Sequence, residues 1–78
     1  MSGMVRFFFD LAKNGVLSPD DTGLELAGDE AAKIEASKAL AEMATALIGS
    51  DKGSIALLVR DDSGARVCTV TMALSVTY

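Results

Sequence analysis

Apolar and polar residues alternate along both ends of this 78-residue chain, and a period of two predicts β-strands. Residues 4–11 place every second side chain on one apolar face, which predicts the first strand. Residues 55–60 predict a third strand that is apolar on both faces. Residues 65–78 alternate again, which predicts a long fourth strand with one wet face.

In the middle of the chain, the alternation of apolar and polar residues gives way to turn residues and then to helical spacing. Asn14-Gly15 predicts a tight turn, because both residues accept a positive φ. A short, irregular second strand is expected within residues 15–26, at the sheet edge because Pro19 lacks an N–H. A helix is predicted over residues 30–48, with Asp29 as its N-cap and Gly49 after its end. Its apolar face comprises Ala32, Ala36, Ala39, Leu40, Met43, Ala46 and Leu47.

These elements predict an α+β fold with the order β-β-α-β-β, in which one helix packs on one face of a small, mainly antiparallel sheet. Residues 1–3 are predicted to be a disordered leader and residues 4–78 a single domain. A chain of this length buries only about 60% of the surface that its unfolded form exposes. Oligomerisation is therefore an expected source of stability.

Several apolar side chains lack a predicted place in the core. One helix leaves the other sheet face open, and the fourth strand is expected to overhang the third near residues 75–78. Both features favour a homodimer. A thin stripe on the far side of the helix is either a set of scattered aliphatic residues or a partial interface. The candidate interface residues are Phe8, Leu58, Val76, Tyr78, Ile34 and Ile48.

Composition excludes several kinds of site. The chain has no histidine and one cysteine, Cys68, which excludes Cys/His zinc sites, histidine triads and internal disulfides. Cys68 is expected to be a buried small hydrophobe, and the acidic pairs fall in predicted turns. Arg6, Phe8 and Arg60 share a sheet face, where they either stack bases or pair with carboxylates. We therefore expect no catalytic, cofactor or metal site, and no enzyme.

Charge and hydropathy limit the partners. A net charge of −4 disfavours nucleic acid. No run is apolar enough to cross a membrane or to act as a signal peptide. A cytoplasmic location without a membrane partner is the expectation.

Three motifs carry a resemblance to a known family. They are R-F-F-F-D at residues 6–10, D-D-T-G-L-E-L at residues 20–26, and V-R-D-D-S-G-A-R-V at residues 59–67. Together they resemble a family of short bacterial proteins of unknown function, a resemblance that implies no activity. Pro19-Asp20-Asp21-Thr22-Gly23 and Glu30-Ala31-Ala32 resemble, in shape, antitoxins of the HicB type, which bind a small partner toxin.

The sequence thus predicts a small, non-catalytic protein-interaction or structural domain, homodimeric and located in the bacterial cytoplasm. The alternative is an antitoxin-like regulatory module that binds a small partner protein.

Overall fold

Five strands and one helix make up the computed structural model of the protein, which describes residues 3–78. Both the α+β class and the single helix on one face of an antiparallel sheet are confirmed. Of the predicted leader, Met1 and Ser2 lie outside the described residues. The elements are β1 (Val5–Lys13), β2 (Val16–Ser18), β3 (Leu24–Leu26), α1 (Asp29–Met43), a 3₁₀ turn (Ala44–Leu47), β4 (Lys52–Asp61) and β5 (Arg66–Ser75).

The sheet has β5 at one edge, followed by β4 and then β1, and every pairing is antiparallel. Both β2 and β3 pair with the other side of β1, at opposite ends of it. The prediction of one irregular second strand is therefore wrong in detail. Two short strands form because Pro19 has no N–H to donate and Gly23, at φ 76°, turns the chain between them.

The hairpin turns lie at residues that accept a positive φ. Asn14 and Gly15 join β1 to β2 with φ values of 52° and 80°, as the type I′ geometry requires. Gly64 takes a positive φ in the turn between β4 and β5.

The helix begins and ends differently from the prediction. Asp29 is its first residue, whereas Gly28 is the N-cap and makes no side-chain capping bond. Asp29 and Glu30 instead place negative charge in the first turn, where the helix dipole favours it. Regular α-helix stops at Met43 and tightens into the 3₁₀ turn, a common ending for helices.

The core lies between α1 and the centre of the sheet. Small side chains on α1, Ala32 and Ala36, let the helix approach the sheet closely, and Leu40 fills the space beside them. From the sheet, the buried side chains are Phe7, Ile55, Leu57 and Val59. The helix contacts β5 as well as β4. The side chains that β5 contributes to the core are half-buried, namely Val67, Cys68, Val70, Met72 and Leu74.

The predicted overhang of the last strand is wrong. Both β4 and β5 have 10 residues, and Lys52 pairs with Ser75 at their shared end. The Val76 N–H then donates to the Asp51 carbonyl oxygen at 2.7 Å. Residues 52–54 lack apolar alternation, which is why the sequence underestimated the length of β4.

Candidate functional site

A charged cluster lies on the sheet face that the helix leaves open. Asp10 on β1 is only 7% exposed, although its side chain is ionisable. From β4, the Arg60 Nε donates to Asp10 Oδ2 at 3.0 Å and the Arg60 Nη2 approaches Asp10 Oδ1 at 3.4 Å. The same guanidinium lies over the Phe8 ring, 4.5 Å from its centroid. Arg60 thus neutralises a buried carboxylate and covers an aromatic face at once.

Asp20 completes this cluster from the loop between β2 and β3. Its carboxylate accepts the Phe9 N–H at 3.1 Å. Phe9 lies between the part of β1 that pairs with β2 and the part that pairs with β3, so Asp20 replaces a strand at that point. The Asp20 N–H donates to Asp10 Oδ1 at 2.8 Å, and the Asp20 carbonyl accepts Arg60 Nη2 at 2.8 Å.

The loop that carries Asp20 is held by hydrogen bonds from its own backbone to the Asp20 side chain. Asp20 Oδ1 accepts the backbone N–H groups of Thr22 at 3.0 Å and Gly23 at 3.2 Å. Gly23 packs so closely on β1 that an added Cβ would lie 2.9 Å from the Phe7 carbonyl oxygen. Among the described residues, no buried side-chain nitrogen or oxygen lacks a partner. The contacts of the cluster are therefore internal to the fold.

These contacts lower the pKa of both carboxyl groups. For Asp10, the hydrogen bond from Arg60 lowers the pKa and outweighs the opposing effect of burial. For Asp20, burial raises the pKa, but the N–H donors of Phe9, Thr22 and Gly23 together with Arg60 bring it below its ordinary value. Both carboxylates are ionised at neutral pH. A lowered folded pKa stabilises the fold above the unfolded pKa, and this stabilisation is lost as the pH falls through the folded value.

Arg6 stays outside the cluster. Its Nη1 donates to the Thr22 carbonyl at 2.9 Å, and its Nη2 lies 3.6 Å from a Glu25 carboxylate oxygen. Of the two interpretations of Arg6, Phe8 and Arg60, the pairing of arginines with carboxylates is the one that these contacts match.

Another acidic pair, Asp61-Asp62, lies in the hairpin turn between β4 and β5. Asp61 accepts the Ser63 hydroxyl at 2.7 Å and the backbone N–H groups of Ser63 and Ala65. The hydrogen bond from the Ser63 hydroxyl contributes most to lowering the Asp61 pKa. Within residues 3–78, no group of three or more Cys, Asp or Glu residues is arranged to hold a metal ion. Cys68 is half-buried on β5, where we had expected full burial.

The six candidate interface residues fall into three separate regions. Phe8 and Leu58 are half-buried on the open sheet face. The other four are exposed, and residues Ile48 and Tyr78 are 78% and 97% accessible. Val76 and Tyr78 both bond to Asp51, close to Ile48. Ile34 lies apart from them on α1, 46% exposed.

A cavity of about 240 Å³ lies where the 3₁₀ turn meets the end of β5. Its lining is apolar, and it is formed by Ala44, Leu47, Ile48, Met72, Ala73 and Leu74. It therefore joins Ile48 to the half-buried side chains of the edge strand.

The outer side of β5 is open. Because the Val76 N–H bonds to the Asp51 carbonyl in the register of the ladder, Asp51 and Val76 form a hydrogen-bonded pair. Such pairs alternate with non-hydrogen-bonded ones along an antiparallel ladder. The even-numbered residues of 68–74 therefore direct their N–H and C=O groups toward β4. The residues that direct theirs outward are Thr69, Thr71, Ala73 and Ser75, and no strand of the described chain pairs with them.

The sequence matches one known family over most of its length. A domain of unknown function, DUF6894, matches residues 6–73. The chain belongs to the DUF6894 family. No curated protein and no solved structure matches it.

The span of the DUF6894 match includes the whole charged cluster, from Asp10 through Asp20 to Arg60, and ends within β5. Sequence reasoning placed Asp10 on the second face of the first strand, Asp20 in a turn, and Arg60 on a sheet face where it either stacks bases or pairs with a carboxylate. It did not connect Asp20 with the other two. The available signal was their position, since Asp10 and Arg60 both lie on the open face and a D-x-x-G turn precedes β3. Within residues 3–78, no helix is long and apolar enough to cross a membrane.

Proposed function

We propose that this DUF6894 domain is a non-catalytic interaction module that forms a homodimer by pairing the β5 edges of two copies. The observation that carries the proposal is the open edge of β5. Every second residue from Thr69 to Ser75 directs its backbone N–H and C=O groups outward, and no strand of the described residues pairs with them. An exposed strand edge is a template for another strand, and strand addition is a common mode of protein recognition.

The composition of β5 supports this role. Edge strands that stay solitary are usually protected by lysine, proline, a bulge or a covering loop. Residues 67–77 contain no charged residue, no proline and no glycine. The register shift in the β4–β5 pairing lies between Val59 and Arg60, near the hairpin turn, and leaves residues 69–75 in a regular ladder.

A second copy of the same chain fits this edge. Two identical edges related by a two-fold axis pair antiparallel, and the paired segments carry no like charges to repel each other. The pairing would satisfy about eight backbone groups in each copy, one N–H and one C=O from each of four residues. It would also cover the apolar side chains that one helix leaves half-exposed on β5.

The charged cluster supports the non-catalytic part of the proposal. The carboxylate oxygens of Asp10 and Asp20 accept hydrogen bonds from Arg60 and from backbone N–H groups. A carboxylic acid that acts as a general acid near neutral pH needs an environment that raises its pKa, whereas both of these pKa values are lowered. The cluster therefore resembles a structural clamp that holds the β2–β3 loop on β1.

Solution mass tests the homodimer. We expect the wild type to have the mass of a dimer by light scattering. Thr71→Lys should weaken the dimer by roughly 10- to 100-fold, because the lysines of the two copies then lie close together on the open face of the paired strands and repel each other. Ser54 is exposed on β4, opposite Ala73. Ser54→Lys adds the same charge one strand away and should leave the mass unchanged.

Two other outcomes would overturn the proposal. A wild type that remains monomeric into the high micromolar range would exclude the homodimer and leave the edge for a strand from another protein, as in the antitoxin-like alternative. If Ser54→Lys weakens the dimer as much as Thr71→Lys does, the contact lies on the open sheet face instead, which carries both of these side chains together with Phe8 and Leu58.

A further inference from the structure

We infer that the two copies pair about a two-fold axis at Met72, so that Val70 of each copy packs beside Leu74 and the apolar cavity of the other. This inference rests on the proposed homodimer and specifies its register. It follows from the direction of the backbone groups, from the limits of the regular β4–β5 ladder and from the position of the cavity.

The direction of the backbone groups limits the register. Thr69, Thr71, Ala73 and Ser75 face outward, so hydrogen-bonded pairs across the interface must join odd-numbered residues to odd-numbered residues. Even-numbered residues then face even-numbered ones, and their side chains lie on the helix side of the sheet. A slip by one residue on one strand would join outward groups to inward ones, which is excluded.

The limits of the regular ladder select among the remaining registers. The register shift in the β4–β5 pairing lies close to the hairpin turn, so four outward-facing residues remain in the regular part of β5: Thr69, Thr71, Ala73 and Ser75. An axis at Met72 pairs all four with one another across the interface, Thr69 with Ser75 and Thr71 with Ala73. An axis at Thr71 or at Ala73 would pair only three of the four with one another, and an axis at Val70 only two. The axis at Met72 therefore satisfies the most backbone groups.

The cavity fits the same register. With the axis at Met72, the pairs on the helix side are Met72 with Met72, Val70 with Leu74, and Cys68 with Val76. Leu74 lines the cavity of about 240 Å³ together with Leu47 and Ile48. Val70 of the second copy therefore lies at this cavity, and side chains of non-hydrogen-bonded pairs approach each other closely.

Single cysteines test the register. In a Cys68→Ser background, Met72→Cys brings two thiols together at the axis, at a Cα separation that a disulfide accepts. We expect mild oxidation to give roughly tenfold more covalent dimer from Met72→Cys than from Val70→Cys or Leu74→Cys alone. The double variant Val70→Cys/Leu74→Cys should also cross-link between copies, which provides a second readout if Met72→Cys folds poorly.

The outcomes separate the register from the homodimer itself. More cross-linking from Val70→Cys than from Met72→Cys would place the axis at Val70 and overturn this register, while the edge dimer would stand. Absence of cross-linking in the single and double variants, with a dimeric mass that Thr71→Lys still disrupts, would overturn the register alone. Absence of cross-linking together with a monomeric Cys68→Ser parent would remove both proposals.

Discussion

Replacing Arg60 by alanine is expected to lower the free energy of unfolding by about 2–3 kcal/mol. Removing one partner of a buried ion pair leaves the other charge without compensation, and Asp10 is 7% exposed. The estimate is below the full value for a buried pair because the Arg60 side chain is 30% exposed. In a domain of this size the loss corresponds to a melting temperature lower by roughly 10–20 °C. Calorimetry at a fixed protein concentration measures it.

Two controls identify the cause. Arg66 is exposed on the neighbouring strand, so Arg66→Ala should change the stability by less than about 0.5 kcal/mol. The pH dependence is the second control. In the wild type, Arg60 lowers the pKa of Asp10, so its stabilising effect is present above the unfolded pKa and is lost as the pH falls through the folded value. The difference between wild type and Arg60→Ala should therefore shrink below about pH 4. A difference that is constant from pH 7 to pH 3 would mean that packing, and not the ion pair, holds the loop.

Replacing Gly23 by alanine is expected to cost about 2–4 kcal/mol, from two sources. Gly23 has a φ of 76°, which an L-residue adopts at a cost of roughly 1–2 kcal/mol. Its Cβ would also lie 2.9 Å from the Phe7 carbonyl oxygen and from two side-chain atoms, Arg6 Cγ and Phe8 Cε1. Relief of this overlap requires the loop to move off β1, which breaks the hydrogen bond from the Phe9 N–H to Asp20. Denaturant unfolding measures the cost.

Gly64→Ala is the matched control for Gly23→Ala. Gly64 has a φ of 88°, and an added Cβ there meets no atom within 4 Å. Only the backbone strain then applies, and a loss of about 1–2 kcal/mol is expected. Equal losses at the two positions would contradict the close packing of the loop on β1.

The sequence predicts those parts of the fold that depend on local periodicity and turn chemistry. Alternation around Phe7 and around Leu57 predicts two strands with the correct inward faces, and Ala36 and Leu40 mark the buried face of the helix. Asn14-Gly15 and Gly64 predict the two hairpin turns. Four residues of the predicted helix face, Ala32, Ala36, Leu40 and Leu47, are buried, because burial of apolar area dominates the energetics of these segments. Ala46 of the same predicted face is exposed, in the 3₁₀ turn that follows α1.

Other parts depend on contacts between distant residues and could not be predicted. The Asp20 carboxylate takes the place of a strand opposite Phe9, a role that no local pattern encodes. The ion pair of Asp10 and Arg60 joins residues 50 positions apart. The 52–54 segment enters β4 through backbone pairing alone, so its sequence carries no strand signal and the last strand was wrongly predicted to overhang.

The proposed interface is only partly accessible to sequence reasoning. An excess of apolar positions on the strands favours an oligomer, but it does not distinguish a sheet face from a strand edge. The distinction comes from the strand order, which places β5 outermost, and from the Val76 hydrogen bond, which defines the outward backbone groups. Val76 was selected as an interface residue for a different reason, the expected overhang.

Amide hydrogen exchange of the wild type, measured by NMR at high micromolar concentration, tests the pairing of β5 edges most directly. The N–H groups of Thr69, Thr71, Ala73 and Ser75 point away from β4, so only a second strand can protect them. The edge dimer predicts slow exchange at these four positions, comparable to that of Val70 and Met72, and fast exchange at the same four in Thr71→Lys. Fast exchange at the four odd positions of the wild type, beside slow exchange at the even ones, would show a free edge and contradict the account.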